Sequence, residues 1–166
     1  MSMRLAYADP PYPGKAEFYV DHPDYAGEVD HEALIDNLQG YDGWALSTGS
    51  WALQDVLGIC PRGVRVLVWT KHSIARSWEP VIVSPARNDQ HQRRLRDWIR
   101  VEPEYFQWRP KPESYVIGQK PEPFCLWLFN WLGARPGDTL DDLYPGSGAV
   151  SAAWEKWSRQ LSLLVT

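Results

Sequence analysis

Cysteine is scarce in this chain. Cys60 and Cys125 are the only two in 166 residues and lie far apart, so neither a disulfide framework nor a thiolate metal site is expected. The four histidines, His22, His31, His72 and His91, show no metal-ligand spacing, and no metal is expected. There is no Gly-x-Gly-x-x-Gly, which makes a dinucleotide pyrophosphate site a poor fit. No apolar run approaches the roughly 18 residues that a membrane span needs. Met1-Ser2-Met3-Arg4 leads straight into an apolar stretch rather than forming a charged-then-apolar leader. These absences predict a soluble, cytoplasmic protein with no membrane partner. With no low-complexity tract and 44% apolar residues, residues 1–166 are expected to form one compact domain.

Tryptophan, by contrast, is abundant: ten residues. Trp127 and Trp131 are four apart and Trp154 and Trp157 three apart, which puts each pair on one face of a helix and predicts core packing.

The most informative stretch comes early. Leu5-Ala6-Tyr7-Ala8 reads as a strand and runs directly into Asp9-Pro10-Pro11-Tyr12. Two prolines fix φ, remove two donors and push Asp9 out of the helical region, so the strand must end in a stiff turn. That turn presents the Asp9 carboxylate, the Pro10 carbonyl and the Tyr12 ring at a strand's C-terminal end, where open α/β sheets bind ligands. Both oxygens can accept from an amino group on a flat ring, and Tyr12 offers a stacking face.

Residues 13–30 read as a loop, in which Tyr19 and Tyr25 are candidates for stacking. Asp30 caps an amphipathic helix through Leu38, ended by Gly40. A strand follows at 44–48, then a helix from Trp51 to Leu57 stopped by Gly58. Val64 to Trp69 is an apolar, β-branched strand, and Pro80 to Val83 is another. Alternating strands and helices predict a doubly wound α/β sheet.

The interval from Arg87 to Lys111 breaks that alternation. It carries seven basic residues against four acidic ones in a chain whose net charge is −4. Arg93, Arg94, Arg96 and Arg100, interleaved with Trp98 and Trp108, form a candidate nucleic-acid surface that pairs phosphate contacts with base stacking. The plain alternative is a solvated amphipathic helix from Gln90 to Val101.

Farther on, Gly118-Gln119-Lys120-Pro121-Glu122-Pro123 precedes an evenly apolar helix, 124–132, ended by Gly133. Arg135-Pro136-Gly137-Asp138 then leads into a strand over 139–144, the turn Pro145-Gly146-Ser147-Gly148 and a helix from about Ala149. Glycines at such a turn let a ligand approach the backbone. A last strand is expected over Leu161 to Val165.

Taken together, Asp9-Pro10-Pro11-Tyr12 and the Lys120-Pro121 … Pro136-Gly137-Asp138 … Asp142 … Gly146-Ser147-Gly148 series resemble the DNA amino-methyltransferases that act on adenine N6 or cytosine N4. The order, catalytic motif before cofactor motif, resembles their permuted β-type arrangement. The resemblance implies a Rossmann-like, doubly wound, mostly parallel sheet: a class I methyltransferase fold, circularly permuted and shortened, with 87–115 as a short recognition-like insertion. It implies S-adenosyl-L-methionine as cofactor, held by Lys120, Asp142, Tyr144, Gly146, Ser147 and Gly148, and catalysis by Asp9, Pro10, Pro11 and Tyr12. The implied activity is methyl transfer to an exocyclic amino group of a base, adenine N6 in DNA first. An RNA adenosine-N6 methyltransferase and a catalytically silent nucleic-acid-binding module on the same fold are the alternatives. The family's acidic ribose ligand after the 161–165 strand has no counterpart here, so weak cofactor binding, or a homo-oligomer or partner subunit completing the site, is expected. Asp141, where the family has a buried aliphatic residue, should lie on an edge-like strand or find a partner.

Overall fold

A computed structural model describes residues 1–20, 27–71, 78–88, 90, 92–101 and 119–164, with the side chains of 18, 19 and 161–164 left out. The strands are β1 (Arg4–Ala8), β2 (Gly43–Ser47), β3 (Arg65–Thr70), β4 (Trp78–Ser84), β5 (Trp98–Arg100) and β6 (Thr139–Asp142). The helices are α1 (His31–Leu38), α2 (Leu53–Ile59), α3 (Glu122–Leu132) and α4 (Ala149–Leu164). Short 3-10 turns occupy Ala16–Tyr19 and Gln92–Arg94.

The strands form one mixed, mostly parallel sheet in the order β5-β3-β4-β2-β1-β6. β4 alone runs against its neighbours, and the stretch between Thr70 and Trp78 is shorter than the dozen or so residues a parallel crossover needs. Pleating sends Leu5 and Tyr7 of β1 to the face covered by α3 and α4, and Ala6 and Ala8 to the face covered by α1 and α2. Helices therefore lie on both faces of an α/β sheet.

Local sequence accounts for the helix ends. Asp30 accepts a hydrogen bond from the Ala33 backbone N–H at 3.0 Å, capping α1. Gly133 ends α3 at φ 73°, a left-handed conformation that glycine adopts without a Cβ penalty. Trp127 and Trp131, one turn apart on α3, both donate their indole N–H to the Arg96 carbonyl, at 2.9 and 3.0 Å. The Trp154 and Trp157 rings lie 4.9 Å from one another and meet Phe129 at 5.0 and 5.8 Å.

Asp138 ties the opposite, N-terminal edge of the sheet together. Arg87 grips it in a bidentate pair at 2.6 and 3.0 Å, and the Met3 and Arg135 backbone N–H groups donate to it at 2.8 Å. Burial pushes this carboxyl up, but Arg87 and the two N–H groups outweigh it and hold the acid below its ordinary value. Arg87 thus belongs to the framework rather than to the basic surface. Asp141 lies on edge strand β6, where the Tyr41 hydroxyl donates to it at 2.8 Å and Arg4 lies 3.6 Å away.

Three expected elements differ. The strand expected over 161–165 is instead the end of α4, helical to Leu164. No glycine or proline interrupts Trp157 to Leu161, and leucine and glutamine propagate a helix well. The possible helix over 90–101 is a 3-10 turn followed by β5, because Ile99 pairs with Trp69 in the sheet. Helix α2 begins later than Trp51 and runs through Gly58 to Ile59.

Candidate functional site

The C-terminal ends of β1 and β6 lie side by side. Tyr7 is in register with Asp142, and the Leu143 backbone N–H donates to the Tyr7 carbonyl at 2.9 Å. The chain leaves β1 towards α1 on one face and β6 towards α4 on the other, which opens a crevice between the two strand ends. Asp9 stands two residues past Tyr7 on one side, and the turn Pro145-Gly146-Ser147-Gly148 follows Asp142 on the other.

Asp9 sits at one end of a ladder of charges. Lys120, immediately before the prolines that open α3, places its ammonium 2.7 Å from Asp9 Oδ2 and donates to Glu79 Oε1 at 2.8 Å. Lys71, just past β3, donates to Glu79 Oε2 at 2.6 Å. Lys120 and Glu79 are 5% and 4% exposed, so these charges are truly taken out of water. Isolated, each would be costly; alternating in sign at hydrogen-bond distance, they satisfy one another. The Trp69 ring lies beside both ammonium groups, 4.1 Å from Lys71 and 5.3 Å from Lys120.

Burial alone would drive Lys120 towards neutrality, yet Asp9 and Glu79 hold it well above its usual range. Burial likewise opposes ionisation of Glu79, but the two lysines win and bring it down to about 2. Asp9 ends up raised: burial is its largest influence, Lys120 offsets part of it, and the Glu79 charge adds to it. Beneath Asp9 the Tyr7 and Ser47 hydroxyls share a buried 2.9 Å hydrogen bond.

Pro10 is buried, Pro11 and Tyr12 are half-buried. The Tyr12 ring meets the Trp51 indole edge-on, centroids 5.7 Å apart at 64°. Trp51 is 46% exposed and its indole lies over Gly49, where a Cβ would come within 2.6 Å of it. Two loops, one after β1 carrying Asp9 and Tyr12 and one after β2 carrying Trp51, thereby bring two aromatic rings together.

On the β6 side, Asp142 accepts from the Ser151 hydroxyl at 2.9 Å through Oδ2, while Oδ1 is buried with no hydrogen-bond partner among the described residues. Burial pushes this carboxyl up and the Ser151 hydroxyl pulls it back in part. Gly146 and Gly148 have φ of 48° and 72°, and a Cβ at Gly148 would meet nothing within 4 Å. The Ser147 hydroxyl accepts weakly from the Ala149 N–H at 3.4 Å, and Tyr144 is half-buried. A cavity of about 260 Å³ opens nearby between the starts of α3 and α4, lined by Gln119, Lys120, Pro121 and the small side chains of Ala149, Ala152 and Ala153. Lys120 thus belongs both to the cavity wall and to the Asp9 ion pair.

The basic segment lies away from this crevice, along the β5 edge. Arg93, Arg94, Arg96, Trp98 and Arg100 are all exposed, and the Arg96 guanidinium lies 5.7 Å over the Trp98 ring. Trp98 and Arg100, two apart on β5, share one face of the strand. Trp108, Tyr25 and all of 102–118 lie outside the described residues, and the side chain of Tyr19 is not described.

Glu79, Lys71, Trp51 and Ser151 join the site without a signal in the sequence. Glu79 looks like an ordinary strand charge until the β3–β4 pairing sets it beside Lys71 and the start of α3 brings Lys120 onto it. Burial pushes the thiols of Cys60 and Cys125 up to about 11 and about 12, which leaves both as poor nucleophiles. No group of three His, Cys, Asp or Glu residues among those described could hold a metal, and no described helix is long and apolar enough to cross a membrane. No protein-family model matches the chain, and no curated protein matches it.

Proposed function

We propose that the chain is an S-adenosyl-L-methionine-dependent methyltransferase on a Rossmann-like scaffold, acting on the exocyclic amino group of a nucleic-acid base, adenine N6 in DNA first. The observation that carries the reading is the juxtaposition of Asp9-Pro10-Pro11-Tyr12 with Asp142 and its glycine turn at two adjacent, parallel strand ends. Acceptors for an amino group and an open turn for a nucleoside-type cofactor then face one crevice.

The residues present fit the cofactor. A cation at the β6 side would meet the buried, unpartnered Asp142 Oδ1, and the left-handed glycines leave the turn open to close approach. When bound, the cofactor supplies an electrophilic methyl group on a sulfonium. Asp142, Gly146, Ser147 and Gly148 would hold it, with the cavity below Lys120 taking part of its length.

The chain's own work is positioning. Asp9, through the oxygen not paired with Lys120, and the Pro10 carbonyl accept the two amino hydrogens of the base. That leaves the nitrogen lone pair aimed out of the ring plane for in-line attack. The Tyr12 and Trp51 rings hold the base plane by stacking, which requires a single-stranded or flipped-out base. No protein nucleophile is needed. The methylated nitrogen is a strongly acidic cation, and its surplus proton leaves along the hydrogen bond to Asp9 or Pro10 and is released to water.

Calorimetry with S-adenosyl-L-methionine and S-adenosyl-L-homocysteine, followed by transfer of labelled methyl to single- and double-stranded DNA and to RNA, tests this reading. Saturable cofactor binding with label on adenine supports it. Absence of both would leave a silent nucleic-acid-binding module.

A further inference from the structure

The ladder Lys71–Glu79–Lys120–Asp9 explains more than charge balance. A lysine paired with Asp9 alone would spend the carboxylate's charge on the ammonium 2.7 Å away and weaken Asp9 as an acceptor for substrate. Glu79, 2.8 Å from the same ammonium, shares it. Lys71 in turn compensates Glu79 at 2.6 Å, so the four groups sum to zero.

We propose that Glu79 is a positioning residue, which divides Lys120 between two carboxylates and so keeps Asp9 fixed and strong enough as an acceptor to bind a neutral arylamine. This inference rests on the functional reading above and adds a residue to its site. Because the ladder is neutral, the crevice gives no net attraction to an ammonium, which would bring an uncompensated charge into a largely dry site. An aromatic amino group is neutral near pH 7 and keeps its lone pair; an aliphatic amine there is protonated and cannot attack.

The groups that face Asp9 come from every element around it: Tyr7 and Tyr12 flanking it on the chain, Lys71 after β3, Glu79 on β4, Lys120 before α3, and Asp142 on β6 across the crevice. Burial raises both phenols well above their ordinary range, so neither ionises near neutrality. Beyond burial, the carboxylates and lysines therefore set Asp9's titration. Glu79 raises Asp9 and Lys120 lowers it.

Opposite changes should follow from removing the two neighbours. In the full chain, the Asp9 carboxyl is followed by carbon-13 NMR against pH in wild type, Lys120→Met, Lys120→Arg and Glu79→Gln, and the pH profile of methyl transfer is recorded alongside. Lys120→Met should move Asp9's titration, and the acid limb of kcat, to higher pH. Glu79→Gln should move both to lower pH and reduce kcat roughly tenfold with little change in KM, the effect of weakening one transition-state hydrogen bond. Lys120→Arg, which keeps the cation, should rescue most of what Lys120→Met loses. A purely structural Glu79 would lower the amount of folded protein without moving either titration. An Asp9 titration that is unchanged or moves upward in Glu79→Gln overturns the proposal, even where Lys120→Met fails to fold. If no variant, wild type included, transfers methyl to any base, the functional reading falls and the NMR titrations alone decide the ladder.

Discussion

The molecule carries two clusters of charge in opposite surroundings. At the crevice, Lys120 and Glu79 are almost wholly buried and matched at 2.8 Å; along the β5 edge, Arg93, Arg94, Arg96 and Arg100 stand in water. The same kind of side chain does different work in the two places. A buried charge fixes geometry, because its partner cannot turn to solvent when it is lost. An exposed one is screened within about a Debye length and contributes mainly to long-range attraction.

That contrast is broken most directly by removing one charge from each cluster. Lys120→Met leaves Asp9 without its cation and the buried Glu79 with Lys71 alone, and should cost about 3–5 kcal/mol. Arg100→Ala should fall within about 0.5 kcal/mol of wild type, as surface changes do. Urea denaturation of both variants checks the pair, and equal losses would erase the distinction.

Next in size is Asp9→Asn, which keeps the shape of the side chain but removes the charge that accepts the amino hydrogens. Methyl transfer should fall by about 10²–10³-fold, comparable to deleting one preorganised transition-state hydrogen bond. Cofactor affinity by calorimetry should be nearly unchanged, since Asp142 and the glycine turn stand on the other strand. Full activity would end the mechanism.

Acid titration sharpens the buried half of the comparison. Glu79 drops from 4.5 to about 2 in the folded chain, so the stability it contributes is full above about 4.5 and is lost as pH falls towards 2. The amount is on the order of 3 kcal/mol. Asp9 acts in the opposite sense, since its raised value lets it take up a proton earlier on the way down. Stability curves between pH 6 and 2 should therefore lose their steep acid segment in Glu79→Gln, and an unaltered curve would show that another acid controls unfolding there.

The two clusters also differ in how far they can be read from the sequence. The strand end at Asp9, the cap at Asp30 and the stop at Gly133 are local, each fixed by a proline, a carboxylate or a glycine acting on its own backbone. The arginine-rich segment is visible as composition, but its conformation is not: a short edge strand forms because Ile99 finds Trp69, a non-local pairing. Arg87 looks like part of that cluster and instead grips Asp138 across 51 residues. Glu79 is the extreme case. Its neighbours Trp78 and Pro80 carry no hint of chemistry, and its role arises only when the antiparallel β3–β4 pair sets it beside Lys71 and the start of α3 brings up a lysine 41 residues away. Helix α4 outruns its expected end because leucine-rich sequence is ambiguous between strand and helix, and here the helix continues to Leu164.

The smallest expected effects lie on the exposed edge, and they separate charge from stacking. If Arg94 and Arg96 contact phosphates, replacing both with Ala should flatten the dependence of log affinity on log salt for single-stranded nucleic acid by about 1.4, since each contact adds roughly 0.7. Trp98 is 48% exposed with the Arg96 guanidinium above it, a ring available on an open strand face. Trp98→Ala should therefore weaken binding by about 1–3 kcal/mol at every salt concentration and leave the slope alone. The chain's net charge of −4 opposes generic attraction to nucleic acid, so a background of non-specific binding should not mask either change. Fluorescence anisotropy with a labelled oligonucleotide across a salt series measures both at once. Unchanged affinity and slope in both variants would make the β5 edge an ordinary solvated surface and leave the crevice at Asp9 to select its substrate alone.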